Sequence, residues 1–198
     1  MPDMTGIGGM EPDRRPGAGL FEWLQMLLIC VVAAVFVFNC LARLTRVDGH
    51  SMDDTLQHNE MLLVWSLGYT PKQGDIVVLN KTTADLPGWD GNRAIVKRVV
   101  AVGGQTVDID YAAGVVYVDG TPLDEPYLKE KMTQPDPLFR PEMQQTHWEI
   151  PEGSIFVMGD NRNNSTDSRD DRLGPIDQGY VLGKVVLAIW PLSRLGLM

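Results

Sequence analysis

Cysteine is nearly missing from this chain: two among 198 residues, Cys30 and Cys40. Both fall in one apolar run, and on a helix their spacing is about 15 Å of rise, too far for a disulfide within it. They read as small apolar filler and carry no information about redox compartment. Histidine is scarce too, with only His50, His58 and His147. Without paired cysteines or closely spaced histidines the chain has no zinc-ligand pattern. It also has no glycine-rich phosphate loop between a strand and a helix, so no metal or organic cofactor is implied. Positive charge is short: 17 Lys and Arg stand against 26 Asp and Glu, a formal net charge of -9. The only basic doublets are Arg14-Arg15 and Lys97-Arg98. A phosphate-binding surface needs clustered cations, so nucleic acid is excluded as a partner and a peptide or protein is expected. Internal repeats and low-complexity tracts are absent.

What is present is one long apolar run and a large polar remainder. Residues 23–42 carry no charge and are mostly Leu, Val, Ile, Ala, Phe and Met. About 20 residues at about 1.5 Å each cover about 30 Å of hydrocarbon, which predicts a transmembrane anchor over 20–43. A cleaved secretory signal fits less well, because its apolar core is shorter and ends in small residues, whereas Arg43, Leu44 and Thr45 follow here. Trp23 suits the interfacial belt. Arg14 and Arg15 before the span are matched by Arg43 and Arg46 after it, so charge does not fix the orientation. Residues 1–19, rich in Gly, Pro, Met and Asp, read as a flexible tail.

After the span the pattern turns to short β-type runs separated by turn residues. Strands are predicted over 61–65, 75–79, 94–102, 106–109, 115–118, 154–158 and 181–190. Asp119-Gly120 tolerates the positive φ angles of a tight hairpin, and Gly103-Gly104 makes another break. Insertions near 80–93 and 124–152, rich in turn residues, are expected to leave the sheet. The fold class is mainly β: an antiparallel sheet domain over 44–198, tethered to one N-terminal helix.

Three places concentrate chemistry. Ser51 sits in a turn at Gly49-His50-Ser51-Met52; Lys97 sits inside the apolar run 95–100; and residues 159–169 form a dense polar stretch. A serine hydroxyl needs a base within hydrogen-bonding reach. His50 neighbours Ser51 and in an extended segment points the other way, while His58 and His147 lie in polar surroundings. Lysine serves instead when burial lowers its pKa toward neutrality, and Lys97, flanked by Ile95, Val96, Val99 and Val100, fits that role. An edge lysine snorkelling to water reads equally well from this local pattern.

The ordered blocks Asp48-Gly49-His50-Ser51-Met52-Asp53-Asp54-Thr55-Leu56, Gly74-Asp75-Ile76-Val77, Val96-Lys97-Arg98-Val99 and Gly159-Asp160-Asn161-Arg162 through Asp167-Ser168-Arg169 follow an apolar anchor. Together they resemble the bacterial type I signal peptidases, membrane-bound serine proteases that remove signal peptides from exported preproteins. The resemblance covers nearly all of the chain after residue 20. It implies Ser51 as nucleophile, Lys97 as general base and the Ser165 hydroxyl orienting the lysine amine. Asp160, Asp167 and Arg169 become a supporting ion-paired shell. The Ser51 backbone N–H becomes one oxyanion donor, and Val47, Met52, Leu56, Ile95 and Val96 line shallow pockets for alanine-sized side chains. Apolar surface at Trp65 or Trp190 would lie against the lipid bilayer, and cleavage would occur at the outer face of the cytoplasmic membrane.

Two positions depart from the family pattern. Gly49 stands where some members carry a serine that donates to the oxyanion, and Asp54 stands where proline is usual. These departures motivate a rival reading as a catalytically silent paralogue that binds signal peptides or a translocation partner. A self-cleaving repressor-type peptidase also uses serine and lysine on a β scaffold, but the anchor and the lack of a DNA-binding segment weigh against it.

Overall fold

The computed structural model describes residues 18–36, 42–80 and 94–198. The chain divides into two compact units, 1–37 and 38–198. The first contains helix α1, Ala18–Phe36. Its apolar side chains are exposed on every side, and the stretch Gly19–Phe36 is long and apolar enough to cross a membrane. A helix apolar all round finds no water-compatible face, which is the pattern of a membrane span. Cys40 lies outside the described residues.

The anchor expected over 20–43 is too long at its C-terminal end. Ala42 and Arg43 belong to strand β1, Ala42–Arg46, which pairs antiparallel with β2, Met61–Trp65. The sheet ladder satisfies their backbone groups in place of helical bonds.

The second unit holds two antiparallel sheets. The larger includes β1, β2, β3 (Ile76–Leu79), β4 (Ile95–Val102), β9 (Ser154–Met158), β10 (Ile176–Asp177), β11 (Val181–Trp190) and β12 (Gly196–Leu197). Its order is β1-β2-β11-β3-β4-β9-β10, with β12 also on β11. The smaller sheet contains β5 (Thr106–Asp110), β6 (Val115–Val118), β7 (Thr121–Pro122) and β8 (His147–Glu149), in the order β7-β6-β5-β8. All seven strands expected from the pattern are present, with ends differing by at most one residue. Asp119 and Gly120 take φ of 51° and 75° in the hairpin joining β6 to β7. The expectation that 124–152 leaves the sheet is corrected at β8, where Trp148 pairs with Val107 of β5 and packs at a tilt against Phe156 with ring centroids 4.9 Å apart. Of the insertion near 80–93, all but Asn80 lies outside the described residues.

The apolar pattern accounts for the layering. Along β3, Ile76 and Val78 join one buried cluster while Val77 and Leu79 join another, so this strand is apolar on both faces. A third cluster links the two sheets through Val100, Phe156 and Met158 on one side and Val107, Val116 and Trp148 on the other. The first cluster also takes in Val47, Met52 and Leu56, which root the segment bearing Ser51 in the core.

Candidate active site

The Ser51 segment is a run of turns between β1 and β2. Met52 and Leu56 are buried, and the Leu56 N–H donates to the Met52 carbonyl at 2.8 Å, drawing the chain into a tight loop with those two side chains inward. Burial of each such side chain is worth about 1.5–3 kcal/mol, enough to hold the loop down. Gly49 has φ of 109°, where a side chain is strained. The residue that departs from the family's serine is therefore matched to its backbone. Gly49 N–H also donates to His58 Nδ1 at 3.1 Å.

Strand β4 brings Lys97 to this turn. Lys97 Nζ lies 2.7 Å from Ser51 Oγ and 3.2 Å from the Val96 carbonyl. The lysine is 4% exposed, so it does not snorkel to water as the edge-lysine reading requires. Burial disfavours its ammonium form and lowers its pKa to about 8; Asp167 and Asp160 pull upward, and the Arg169 charge pushes down.

The polar stretch 159–170 is largely buried, and its charges are paired among themselves or with close neighbours. Asp167 receives Arg169 Nε at 2.8 Å and Nη2 at 2.9 Å, and the Gly159 N–H at 3.0 Å. Burial alone would push the Asp167 carboxyl up, but the Arg169 charge and these hydrogen bonds outweigh it and bring the pKa to about 2. Asp160 is gripped by Arg98 through Nε at 2.8 Å and Nη2 at 2.7 Å, and by the Thr55 hydroxyl at 2.6 Å. Arg162 pairs with Glu125 in the same two-pronged manner. Each carboxylate near Lys97 thus has its own guanidinium, which limits how far it can raise the amine's pKa.

Asn161 ties the brace to the nucleophile turn. Its N–H donates to the Ser51 carbonyl at 3.0 Å, and its side-chain amide donates to the His50 carbonyl at 3.0 Å. Gly159 allows this approach, since a Cβ there would overlap the Ser51 carbonyl oxygen and Ser165 Oγ. Ser165 is buried against Gly159, and its hydroxyl favours the ionised Asp167 nearby. It nevertheless meets no partner with hydrogen-bond geometry, so the direct bond to Lys97 expected from the sequence is not formed here.

The expected pocket residues separate into two groups. Val47, Met52, Leu56 and Val96 share one buried cluster, while Ile95 packs with Val99 and Ile155 in another, as alternation along β4 requires. Ile95 is thereby corrected away from the other four. The histidines bond elsewhere: His50 Nδ1 to Asp53 at 3.2 Å and His147 Nδ1 to Asp108 at 2.6 Å. Asp54 is solvated, its carboxylate 3.7 Å from Lys129 Nζ. Among the described residues, no group of three or more His, Cys, Asp or Glu side chains is placed to hold a metal ion.

Sequence reasoning gave no role to Arg98, Thr55, Gly159 or Asn161. Arg98 carries a signal of a kind, being a second cation next to Lys97 inside an otherwise apolar strand. Its partner Asp160, 62 positions away, stands out in the polar stretch, but nothing local pairs the two.

With this geometry, residues 20–190 match the family described as signal peptidase, peptidase S26. The chain belongs to that family. It is similar to a probable signal peptidase I-1 of Synechocystis sp., 33% identical over 94% of this chain and 90% of the relative. A signal peptidase I of Bacillus licheniformis is 34% identical over 89% of this chain and 91% of that one. A crystal structure of a signal peptidase I from Enterococcus faecalis V583 is 28% identical, covering 59% of this chain and 97% of that one at a TM-score of 0.44. The mainly antiparallel β architecture with one apolar N-terminal helix and the signal peptidase family assignment stand together. Removal of signal peptides is the activity the relatives carry.

Proposed function

We propose that this chain is a membrane-anchored serine endopeptidase in which Ser51 attacks the scissile carbonyl and Lys97 acts as general base. The observation that carries the reading is the 2.7 Å contact between a buried amine and the Ser51 hydroxyl. The neutral Lys97 amine takes the Ser51 proton as Oγ bonds to the carbonyl carbon. The tetrahedral intermediate collapses when the lysine ammonium gives that proton to the departing amine, leaving an acyl ester on Ser51. Water then attacks the ester, losing its proton to Lys97, and Oγ recovers a proton as the new carboxyl end leaves. The Ser51 backbone N–H makes no hydrogen bond among the described residues, which leaves it available to the oxyanion.

The substrate binds as an extended strand beside β4. Ile95, Val96 and Lys97 pair with β3 on one side, whereas pairing with β9 starts at Arg98. Among the described residues the other edge of that half-strand has no strand partner, so a peptide can add there by main-chain hydrogen bonds next to Ser51. The few exposed atoms of Val47 and Val96, packed on the buried Met52 and Leu56, offer a floor suited to small side chains, consistent with an Ala-x-Ala type of site. The Asp160, Asp167 and Arg169 shell holds the lysine and the turn in register. Exposed Trp65, Trp190, Leu192, Leu195 and Leu197 give an apolar surface suited to lipid. On this proposal the catalytic unit works at the outer face of the cytoplasmic membrane, on preproteins whose signal helix remains in the bilayer.

The test is cleavage of a preprotein by the detergent-solubilised full chain. Ser51→Ala is expected to abolish cleavage while the protein stays folded. Undiminished cleavage by that variant contradicts the assignment and favours a binding role or a different nucleophile.

A further inference from the structure

We infer that Arg194 is a positioning residue that fastens the far side of the Ser51 turn to the sheet by bridging two turn carbonyls and the buried Glu60 carboxylate. Its Nη2 donates to the Asp54 carbonyl at 3.1 Å and to the Thr55 carbonyl at 3.2 Å, while its Nε lies 2.5 Å from Glu60 Oε1. Arg194 is itself held in a short 3-10 turn, Leu192–Arg194, between β11 and β12. Both strands are fixed: Trp190 pairs with Met61, and Gly196 pairs with Ala188. Glu60 stands directly before β2 and is 2% exposed. Its carboxylate oxygens make no well-directed hydrogen bond among the described residues, so the Arg194 charge is what compensates it there.

The turn carrying Ser51 is thus held from two sides. On the inner side Asn161 grips the His50 and Ser51 carbonyls, and Asp160 grips the Thr55 hydroxyl. On the outer side Arg194 grips the carbonyls of Asp54 and Thr55. Proline at position 54 would stiffen this loop through its fixed φ, and aspartate cannot. A guanidinium on the Asp54 carbonyl supplies an external restraint instead. A lysine could not replace it, because one ammonium lacks the planar fork needed to meet a carboxylate and two carbonyls together.

The inference rests on the Ser51 and Lys97 reading, so the experiment carries Ser51→Ala as a control. Steady-state cleavage of an Ala-x-Ala peptide by the full chain in detergent is measured for Arg194→Met, Arg194→Lys and the double variant Arg194→Met with Glu60→Gln. Arg194→Met is expected to lose about 10- to 100-fold in kcat with little change in KM, because a nucleophile displaced by a fraction of an ångström loses attack geometry. The acidic limb of the pH profile stays where it is in the wild type, since the environment of Lys97 is untouched. The double variant removes the buried charge and recovers thermal stability, yet its kcat stays low. Arg194→Lys, which keeps the charge beside Glu60 and the fold with it, also loses kcat, though less. Wild-type kcat in the double variant or in Arg194→Lys overturns the inference, leaving Arg194 as no more than a counter-ion. A shifted acidic limb overturns it too, by placing the effect on the lysine. Cleavage that survives Ser51→Ala instead removes the reading beneath it.

Discussion

The nucleophile turn and the polar brace over 159–170 face each other across Ser51 and are built in opposite ways. The turn is apolar beneath and wet above: Met52 and Leu56 are buried, whereas the Asp54 side chain is 70% exposed. It is held by side chains from elsewhere in the chain, Asn161, Asp160 and Arg194. The brace is buried, and its charges are cancelled by ion pairs: Asp167 with Arg169 inside the stretch, and Asp160, Arg162 and Asp170 with Arg98, Glu125 and Arg172 outside it. The difference teaches what each must supply. A reactive hydroxyl has to meet substrate, so its loop stays at the surface and is pinned from outside. A neutral amine needs a dry setting without net charge, so its support is a set of mutually cancelling ion pairs.

The sharpest way to break the comparison is at the amine. Lys97→Met should lower kcat/KM by about 10²- to 10⁴-fold, the usual contribution of a general base. The same change should stabilise the fold. The folded pKa of about 8 lies below the ordinary 10.5, so between those values the unfolded chain binds more proton and stability rises with pH. Below about pH 8 the folded protein carries the full cost of a buried ammonium, and removing it is worth up to about 3 kcal/mol near pH 7. Chemical denaturation at pH 7 checks this; an unchanged or lower midpoint contradicts it.

The brace should fail by losing stability first. Arg169→Met strands the Asp167 carboxylate in the interior and is expected to cost about 3–5 kcal/mol, seen as a large drop in melting temperature. A smaller effect is expected at the contact between the two regions: Gly159→Ala forces the Ser51 carbonyl and Ser165 apart, at about 1–3 kcal/mol, with most of the cleavage activity lost. If that variant cleaves normally, the close approach is not needed. Smallest of all, His50→Ala should change stability by less than about 0.5 kcal/mol and leave cleavage intact, because the ring is exposed and bonds only to Asp53 among the described residues. Loss of activity there would make a histidine the base.

Much of this was legible in the chain, and the limits have physical causes. Strands such as β2, β6 and β11 are readable because each is a run mainly of β-branched, aromatic and other apolar residues bounded by turn residues. β8 is not, since only Trp148 of its three residues is buried and a three-residue strand carries almost no period. Composition carries the span on to residue 43 because the uncharged run extends to Ala42, and nothing in it marks that Ala42 and Arg43 pair in β1. Ser51, Lys97 and the brace stood out as ordered blocks. Their partners did not, because Arg98 with Asp160 and Arg194 with Glu60 meet only through the fold, and charge pairing at long range leaves no local pattern. Ser165 shows the converse: its place beside the site could be read from the motif, while its hydrogen bond depends on rotamer detail that no motif specifies.

The most direct test of the central claim is the pH dependence of kcat/KM for an Ala-x-Ala peptide, measured with the full chain. A buried lysine acting as base predicts activity that rises tenfold per pH unit at low pH and levels off near pH 8, with the limb absent from any residual activity of Lys97→Met. A profile flat from pH 6 to 10, or the same limb persisting in that variant, would contradict it.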